Sequence, residues 1–257
     1  MDINFSQNVD SFLKTKIESI DGLGILDFYK RNKVFLTGHF VGTKGGHMDT
    51  YVNIKKVLED VDHLAALALQ MAFSIREIKA DVFIAAPYGA QDLAPLVAMF
   101  YRVLTRRPVK VLKLVKKRGK GEEKENIVWY KDHAEKVFGM RGVLIDDVIN
   151  SGGSLIDGKK LIKGAGGALV VCVVAFSRQD HDDLKKLEWR LRAKIFSLYS
   201  RKIKEFKIAS EKNVFDQCPL CRDNIPINQE IGHGKEFLDL LEAEGKYPKN
   251  WIKLMRG

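Results

Sequence analysis

Cysteine is scarce: three in 257 residues, Cys172, Cys218 and Cys221. They are too few, and two of them too close together, for a disulfide scaffold. Long apolar runs are missing as well. None approaches the roughly 18 residues that a membrane-spanning helix needs. Met1 to Asp10 has neither a basic start nor an apolar stretch, so no secretory signal is expected and the expected location is cytoplasmic. Repeats, low-complexity tracts and Pro/Ser-rich linkers are also lacking, which leaves one domain spanning 1–257 as the expectation. Acidic residues are outnumbered, 33 against 43 Lys and Arg, for a net charge of +10. That excess predicts polyanionic company: nucleic acid, an acidic membrane surface or a phosphorylated small molecule.

Apolar residues, 46% of the chain, are enough to bury a sizeable core, and their pattern sets the fold class. Helices are expected from Val9 to Ser19, from Ile25 to Asn32 and, Ala- and Leu-rich, from about Val57 to Ile75. Thr37 to His39 reads as a turn, and Gly42 to His47 as irregular. Strands are expected at Asp81 to Ala86, Val109 to Val115, Gly142 to Ile149 and Leu169 to Phe176. Helices at Leu93 to Leu104 and Ser154 to Lys163 alternate with them. Strands spaced by helix-length segments imply an α/β fold with a central parallel β-sheet flanked by helices. Lys116 to Asn126 has almost no apolar content and reads as a mobile loop or a solvated face. The basic residues between Lys185 and Lys212 read as a solvated face.

The most informative stretch is Val143 to Ser154, VLIDDVINSGGS. A buried strand delivers two carboxylates, Asp146 and Asp147, and then a loop of small residues at a helix start. Glycines let successive backbone N–H groups point inward, and the helix N-terminus adds positive potential. Asn150, Ser151, Gly152, Gly153 and Ser154 thus form a phosphate cradle. Ionised carboxylates are pure hydrogen-bond acceptors and suit the vicinal hydroxyls of a ribose. Together these parts describe a site for a ribose 5-phosphate.

This segment resembles the 5-phosphoribosyl-1-pyrophosphate (PRPP) motif of the type I phosphoribosyltransferases, with Asn150 where that family usually has threonine. Gly38-His39-Phe40-Val41 and Gly45 to Asn53 are similar to the base-covering segment of orotate phosphoribosyltransferases, with Lys44-Gly45 at its usual serine-glycine. Phe176-Ser177-Arg178-Gln179 looks like the step whose arginine meets the orotate carboxylate. Cys218-Pro-Leu-Cys221 with Ile225-Pro226 resembles a tail found in part of that family. The pyrophosphate loop departs from the pattern: Ala86-Pro87-Tyr88-Gly89-Ala90-Gln91 is one residue short and lacks a glycine pair.

The resemblance implies a hood, formed by N-terminal elements (about 1–56) and a C-terminal elaboration (about 181–257), over the carboxyl edge of a core at about 57–180. It implies phosphoribosyl transfer from PRPP to orotate, giving orotidine 5′-monophosphate and pyrophosphate in pyrimidine nucleotide synthesis, by a homodimer. PRPP would be held by Lys116, Lys117, Asp146, Asp147 and Asn150 to Ser154. Lys117, Lys120 and Asp147 would act in catalysis. Lys44, Tyr51, Asn150 and Arg178 would meet the base, unless Arg178 is a surface residue paired with Asp180 or Asp182. Mg²⁺ is the expected cofactor, carried mainly by pyrophosphate rather than by side chains. A PRPP- or nucleotide-binding regulator of the same fold that contacts RNA or DNA, or a transferase for another base, stays open as the alternative. Nucleic acid is the less favoured partner, and no membrane is expected.

Smaller signals remain. Cys218 and Cys221 have metal-ligand spacing, but zinc usually takes four ligands. Cys172 falls in a core strand and His233 is a lone candidate, so a structural turn is the preferred reading. His39, His47 and His63 are candidate ligands or bases. His63 reads as a packed or surface residue of its helix, and His47 as a hood residue placed to act near the base.

Overall fold

The computed structural model describes residues 24–43, 45–119, 125–206, 217–245 and 247–257; the expected helix from Val9 to Ser19 lies outside them. In chain order the elements are α1 (Gly24–Arg31), β1 (Phe35–Val41), β2 (His47–Val52), α2 (Lys55–Leu58), α3 (Val61–Ser74), β3 (Val82–Ala85), α4 (Ala90–Thr105), β4 (Lys110–Arg118) and β5 (Glu125–Trp129). They continue with β6 (Arg141–Ile149), α5 (Gly153–Gly164), β7 (Ala168–Ser177), α6 (His181–Leu191), β8 (Lys194–Ser200), β9 (Glu205–Phe206), α7 (Pro219–Arg222), α8 (Gly234–Glu244) and α9 (Lys249–Arg256). Two compact units result, one covering 54–202 with the chain up to Phe28, the other Tyr29–Asn53 with Ile203–Gly257.

In the larger unit a six-stranded sheet has the order β5-β4-β3-β6-β7-β8. All its neighbouring pairs are parallel except β4 with β5. Val82, Phe83, Ile84 and Ala85 expose nothing, as expected of a central strand covered on both faces. Around them pack Leu112, Leu114, Leu144, Leu155, Ile162 and Val174. Burying a Leu or Ile side chain contributes about 1.5–3 kcal/mol, so this cluster dominates the unit's stability. The N-terminal edge of the sheet is tied by Arg141, whose guanidinium donates to both carboxylate oxygens of Asp81 at 2.7 and 2.8 Å.

Two expectations for this unit change. The helix expected over Val57 to Ile75 is two helices, because the Asp60 carboxylate accepts from the His63 N–H at 3.0 Å and starts α3 afresh. The segment Lys116 to Asn126 is not a mobile loop throughout. Its arms pair as an antiparallel hairpin, Lys116 opposite Ile127 and Arg118 opposite Glu125, anchored by the half-buried Ile127 and Trp129 that follow. Only 120–124, at its tip, lie outside the described residues. The described basic residues from Lys185 to Lys204 are exposed, as expected of a solvated face, while the apolar residues between them complete α6 and supply β8.

The smaller unit has a three-stranded antiparallel sheet, β1-β2-β9. Thr37 to His39, expected as a turn, lies inside β1. Pairing slips there, from Thr37 opposite Thr50 to Phe40 opposite Met48, leaving an extra residue on β1. Such a bulge re-aims a side chain, and the side chain in question is His39. Val41 packs with Ile227, Leu238, Leu241, Trp251, Ile252 and Met255 from the tail. This core is therefore built from both ends of the chain.

Candidate active site

Strand β6 carries the acidic pair. Leu144 and Ile145 are fully buried, and the alternation leaves Asp146 only 6% exposed while Asp147 is half-buried. The Asp147 N–H donates to Asp146 Oδ1 at 3.0 Å, and the Val148 N–H to Asp147 Oδ1 at 2.9 Å. Burial, and next the Asp147 carboxylate beside it, push the Asp146 carboxyl well above the usual carboxylate range, against a smaller pull from Lys116. Asp146 is thus the buried member of the pair, and Asp147 is the more accessible carboxyl. Gly89 makes room for it, because a Cβ there would overlap the Asp147 carboxylate.

The loop after β6 has the expected form. Gly152 takes φ +77°, and a Cβ on it would drive into Leu187 of α6, so only glycine fits. α5 starts at Gly153 with no side-chain cap on its first N–H groups; these orphan donors, at the positive end of the helix, make an anion site. Asn150, Ser151 and Gly153 are exposed and Ser154 is half-buried.

Arg178 follows β7 directly, and its N–H bonds to the Ile149 carbonyl at 2.8 Å. Its guanidinium donates to Asn150 Oδ1 at 2.9 Å, and Gln179 Nε2 donates to the Asn150 carbonyl at 2.8 Å. Two of the expected base-binding residues thus meet at the edge of the phosphate loop. The competing partner Asp180 is engaged elsewhere. It caps α6 through the Asp183 N–H and pairs with Lys202 at 2.6 Å, which hold its carboxyl down at about 2. Of the remaining base candidates, Tyr51 lies on β2 in the smaller unit, its ring 5.5 Å from that of Phe40, and Lys44 lies outside the described residues.

Lys116 and Lys117 are exposed at the end of β4; Lys120 lies outside the described residues. The Lys116 ammonium sits 5.0 Å over the Tyr88 ring, whose hydroxyl is 3.5 Å from Glu125 Oε2. Tyr88 therefore joins the shortened loop to the lysine-bearing hairpin. It does so with φ +72°, a left-handed conformation that costs a bulky residue about 1–3 kcal/mol and that glycine adopts freely. His47, expected near the base, is instead fully buried in the smaller unit with its ring against His39. Burial, and then the charge of His39, bring its pKa down to about 3, which keeps the imidazole neutral. His39 and His47 are the pair that sequence reasoning did not join to Cys218 and Cys221; only the hairpin register relates the two histidines.

Residues 47–206 match the family model of the phosphoribosyl transferase domain. The orotate phosphoribosyltransferase of Caldanaerobacter subterraneus subsp. tengcongensis is 24% identical over 203 residues, 79% of this chain and 93% of that protein. Among solved structures, the orotate phosphoribosyltransferase of Mycobacterium tuberculosis H37Rv in complex with Fe(III) dicitrate superposes with a TM-score of 0.53 at 16% identity, covering 68% of this chain and 94% of that one. The APRTase of Giardia lamblia complexed with 9-deazaadenine reaches the same TM-score, 0.53, at 15% identity over 69% and 98% of the two chains. The fold is common to both, so it does not select the base.

Proposed function

We propose, for a chain that belongs to the phosphoribosyl transferase domain family, that it transfers the phosphoribosyl group of PRPP to orotate, releasing orotidine 5′-monophosphate and pyrophosphate. The observation that carries the choice of base is the Arg178–Asn150 pair beside the phosphate loop. Orotate differs from uracil by one carboxylate, and a guanidinium held by a sheet-anchored backbone meets a carboxylate with two parallel hydrogen bonds. The 24% identical relative named for this activity supports the same base.

In this reading the N–H groups and hydroxyls of Asn150 to Ser154 hold the 5-phosphate. Asp146 and Asp147 accept from the ribose hydroxyls. Held in line, base and PRPP react without paying the entropy of encounter. The bond from ribose C1 to pyrophosphate breaks with its electron pair on the leaving oxygen, and orotate N1 gives the pair that forms the new C–N bond while its N–H proton passes to solvent or to the released pyrophosphate. Charge develops on pyrophosphate, and Lys116 and Lys117, exposed at the end of β4, would meet it together with Lys120. Mg²⁺, carried mainly by the pyrophosphate, would neutralise part of that charge, with the half-buried Asp147 carboxylate as a hard oxygen donor beside it. The reading carries with it a cytoplasmic homodimer in pyrimidine nucleotide synthesis.

Orotate consumption in the presence of PRPP and Mg²⁺, followed by absorbance, tests the proposal. Arg178→Lys keeps the charge and loses the fork, so turnover with orotate should fall about tenfold to a hundredfold, or roughly 1.4–2.7 kcal/mol of transition-state binding, with PRPP affinity unchanged. Wild-type protein inert toward orotate but active with uracil, adenine or hypoxanthine would reassign the base. The altered loop at Tyr88 favours a second reading, a PRPP-binding regulator, which salt-sensitive oligonucleotide binding without turnover would identify.

A further inference from the structure

The smaller unit brings together four soft donors that the transfer reaction does not use. His39, His47, Cys218 and Cys221 are all buried, and one ligand atom of each lies within 4.8 Å of the others. His39 Nε2 is 2.7 Å from His47 Nδ1 and 3.8 Å from each sulfur, and His47 Nδ1 is 3.3 Å from Cys221 Sγ. We propose that these four side chains form a closed, tetrahedral zinc site that joins the β1–β2 hairpin to the Cys218–Cys221 turn. With zinc–sulfur bonds of about 2.3 Å and zinc–nitrogen bonds of about 2.0–2.1 Å, the edges of such a tetrahedron run roughly 3.3–3.8 Å. Three of the four measured edges already fit, and the His39–His47 edge has to open by about half an ångström.

The hydrogen bonds around the rings point the same way. His39 Nδ1 lies 2.7 Å from the Ile225 carbonyl and must donate to it, which leaves Nε2 as a bare lone pair aimed at the cluster. A backbone carbonyl on the far nitrogen is the usual second partner of a metal-bound histidine. Without a metal, His47 Nδ1 has to carry the proton between the rings, and its Nε2 becomes a buried acceptor with no hydrogen-bond partner among the described residues. With a metal, the proton moves to Nε2, on a ring that packs nearly perpendicular to Phe237 at 4.9 Å between centroids, and both lone pairs face a cation. Binding breaks two S–H bonds, forms two zinc–thiolate bonds and releases two protons to solvent. Two thiolates and Zn²⁺ sum to zero, so the buried site carries no net charge. Four donors packed this tightly suit one ion rather than a two-iron cluster, in which each iron takes two of the ligands. All four positions being filled by buried side chains, the site is structural and leaves no opening for substrate.

The test is the metal content of the full-length protein purified without added chelator. We expect about one zinc per chain, retained in Cys172→Ala and lost in Cys218→Ser/Cys221→Ser. His47→Cys, which keeps four ligands, should still bind zinc, and this guards against reading a folding failure as a lost ligand. Replacing zinc by Co²⁺ should give the thiolate-to-metal charge transfer and intense visible bands of a tetrahedral site, absent from the double serine variant. Metal-free protein with three titratable thiols, a Cys218–Cys221 disulfide in the isolated protein, or zinc that survives the double substitution would each overturn the assignment.

Discussion

The two units solve the same problem, fixing polar groups at one point, by opposite means. In the larger one a single run of twelve residues, Val143 to Ser154, supplies strand, acidic pair, loop and helix start. In the smaller one the polar centre draws on a bulged strand, its hairpin partner and a turn whose first cysteine is 179 positions from His39. A local site is shaped by backbone conformation, through Gly152 and the N-terminus of α5. A non-local site is shaped by packing, and its ligands hold together pieces that nothing local would bring near. The first kind controls ligand binding; the second controls whether its own unit stays folded.

The largest expected effect separates the two roles. If the smaller unit holds zinc, a strong chelator should destabilise it by several kcal/mol, since structural zinc binding reaches roughly 10–16 kcal/mol in isolated zinc-finger peptides. Calorimetry should then show its transition moving to lower temperature while that of the larger unit stays in place. A single transition unchanged by chelator would erase the contrast. Next in size is Lys117→Ala, which should reduce turnover about a hundredfold and PRPP affinity far less, because the leaving-group charge develops mainly in the transition state. Equal losses in kcat and in PRPP affinity would make Lys117 a binding residue only.

Gly152→Ala sharpens the claim that backbone shapes the local site. The left-handed φ and the overlap with Leu187 should cost about 1–3 kcal/mol, read as a lower denaturant midpoint at constant slope, together with weaker PRPP binding. The smallest effect lies at Asp81. Arg141, through its side chain and then its backbone N–H, holds the Asp81 carboxyl at about 2. The folded state keeps it ionised where the unfolded chain takes up a proton, so the pair's contribution is present above about pH 4 and lost as pH falls toward 2. Both partners are partly exposed, which limits the contribution to about 1 kcal/mol or less. Asp81→Asn should flatten that part of the stability profile and leave activity at neutral pH as it was.

The difference between the units also governs what the sequence reveals. β3, β6 and β7 could be read because they are short, uniformly apolar and closed by glycine or polar residues, and the phosphate loop because its residues are consecutive. β5 was hidden by the run Lys116 to Asn126, whose charges mark solvent exposure equally well in a loop and in the arms of an edge hairpin. The break between α2 and α3 was legible in Asp60, a capping residue three positions before His63, but the Ala- and Leu-rich run on either side outweighed it. The bulge at Thr37 to His39 carries the glycine of a turn, and only pairing with β2 distinguishes the two. His39 and His47 look unrelated until that pairing is known, and the cysteine pair alone supplies half a ligand set. The upward push on the Asp146 carboxyl is likewise invisible, since adjacency to Asp147 is written in the sequence but burial is not.

The smaller unit's dependence on both ends of the chain has a consequence for the order of events during synthesis. Strands β1 and β2 leave the ribosome well before Cys218, Leu238, Leu241, Trp251 and Met255. At roughly 5–20 residues per second, the 179 positions between His39 and Cys218 take about 10–35 s to make. By the end of that interval all six strands of the larger unit's sheet, β3 to β8, have been made. The hairpin meanwhile waits with Val41 and Met48 uncovered, since loop closure over such a distance cannot be rewarded until the segment from Cys218 onward exists. Translation speed between β2 and Cys218 therefore sets how long a nascent chain shows that face to chaperones and to other nascent chains.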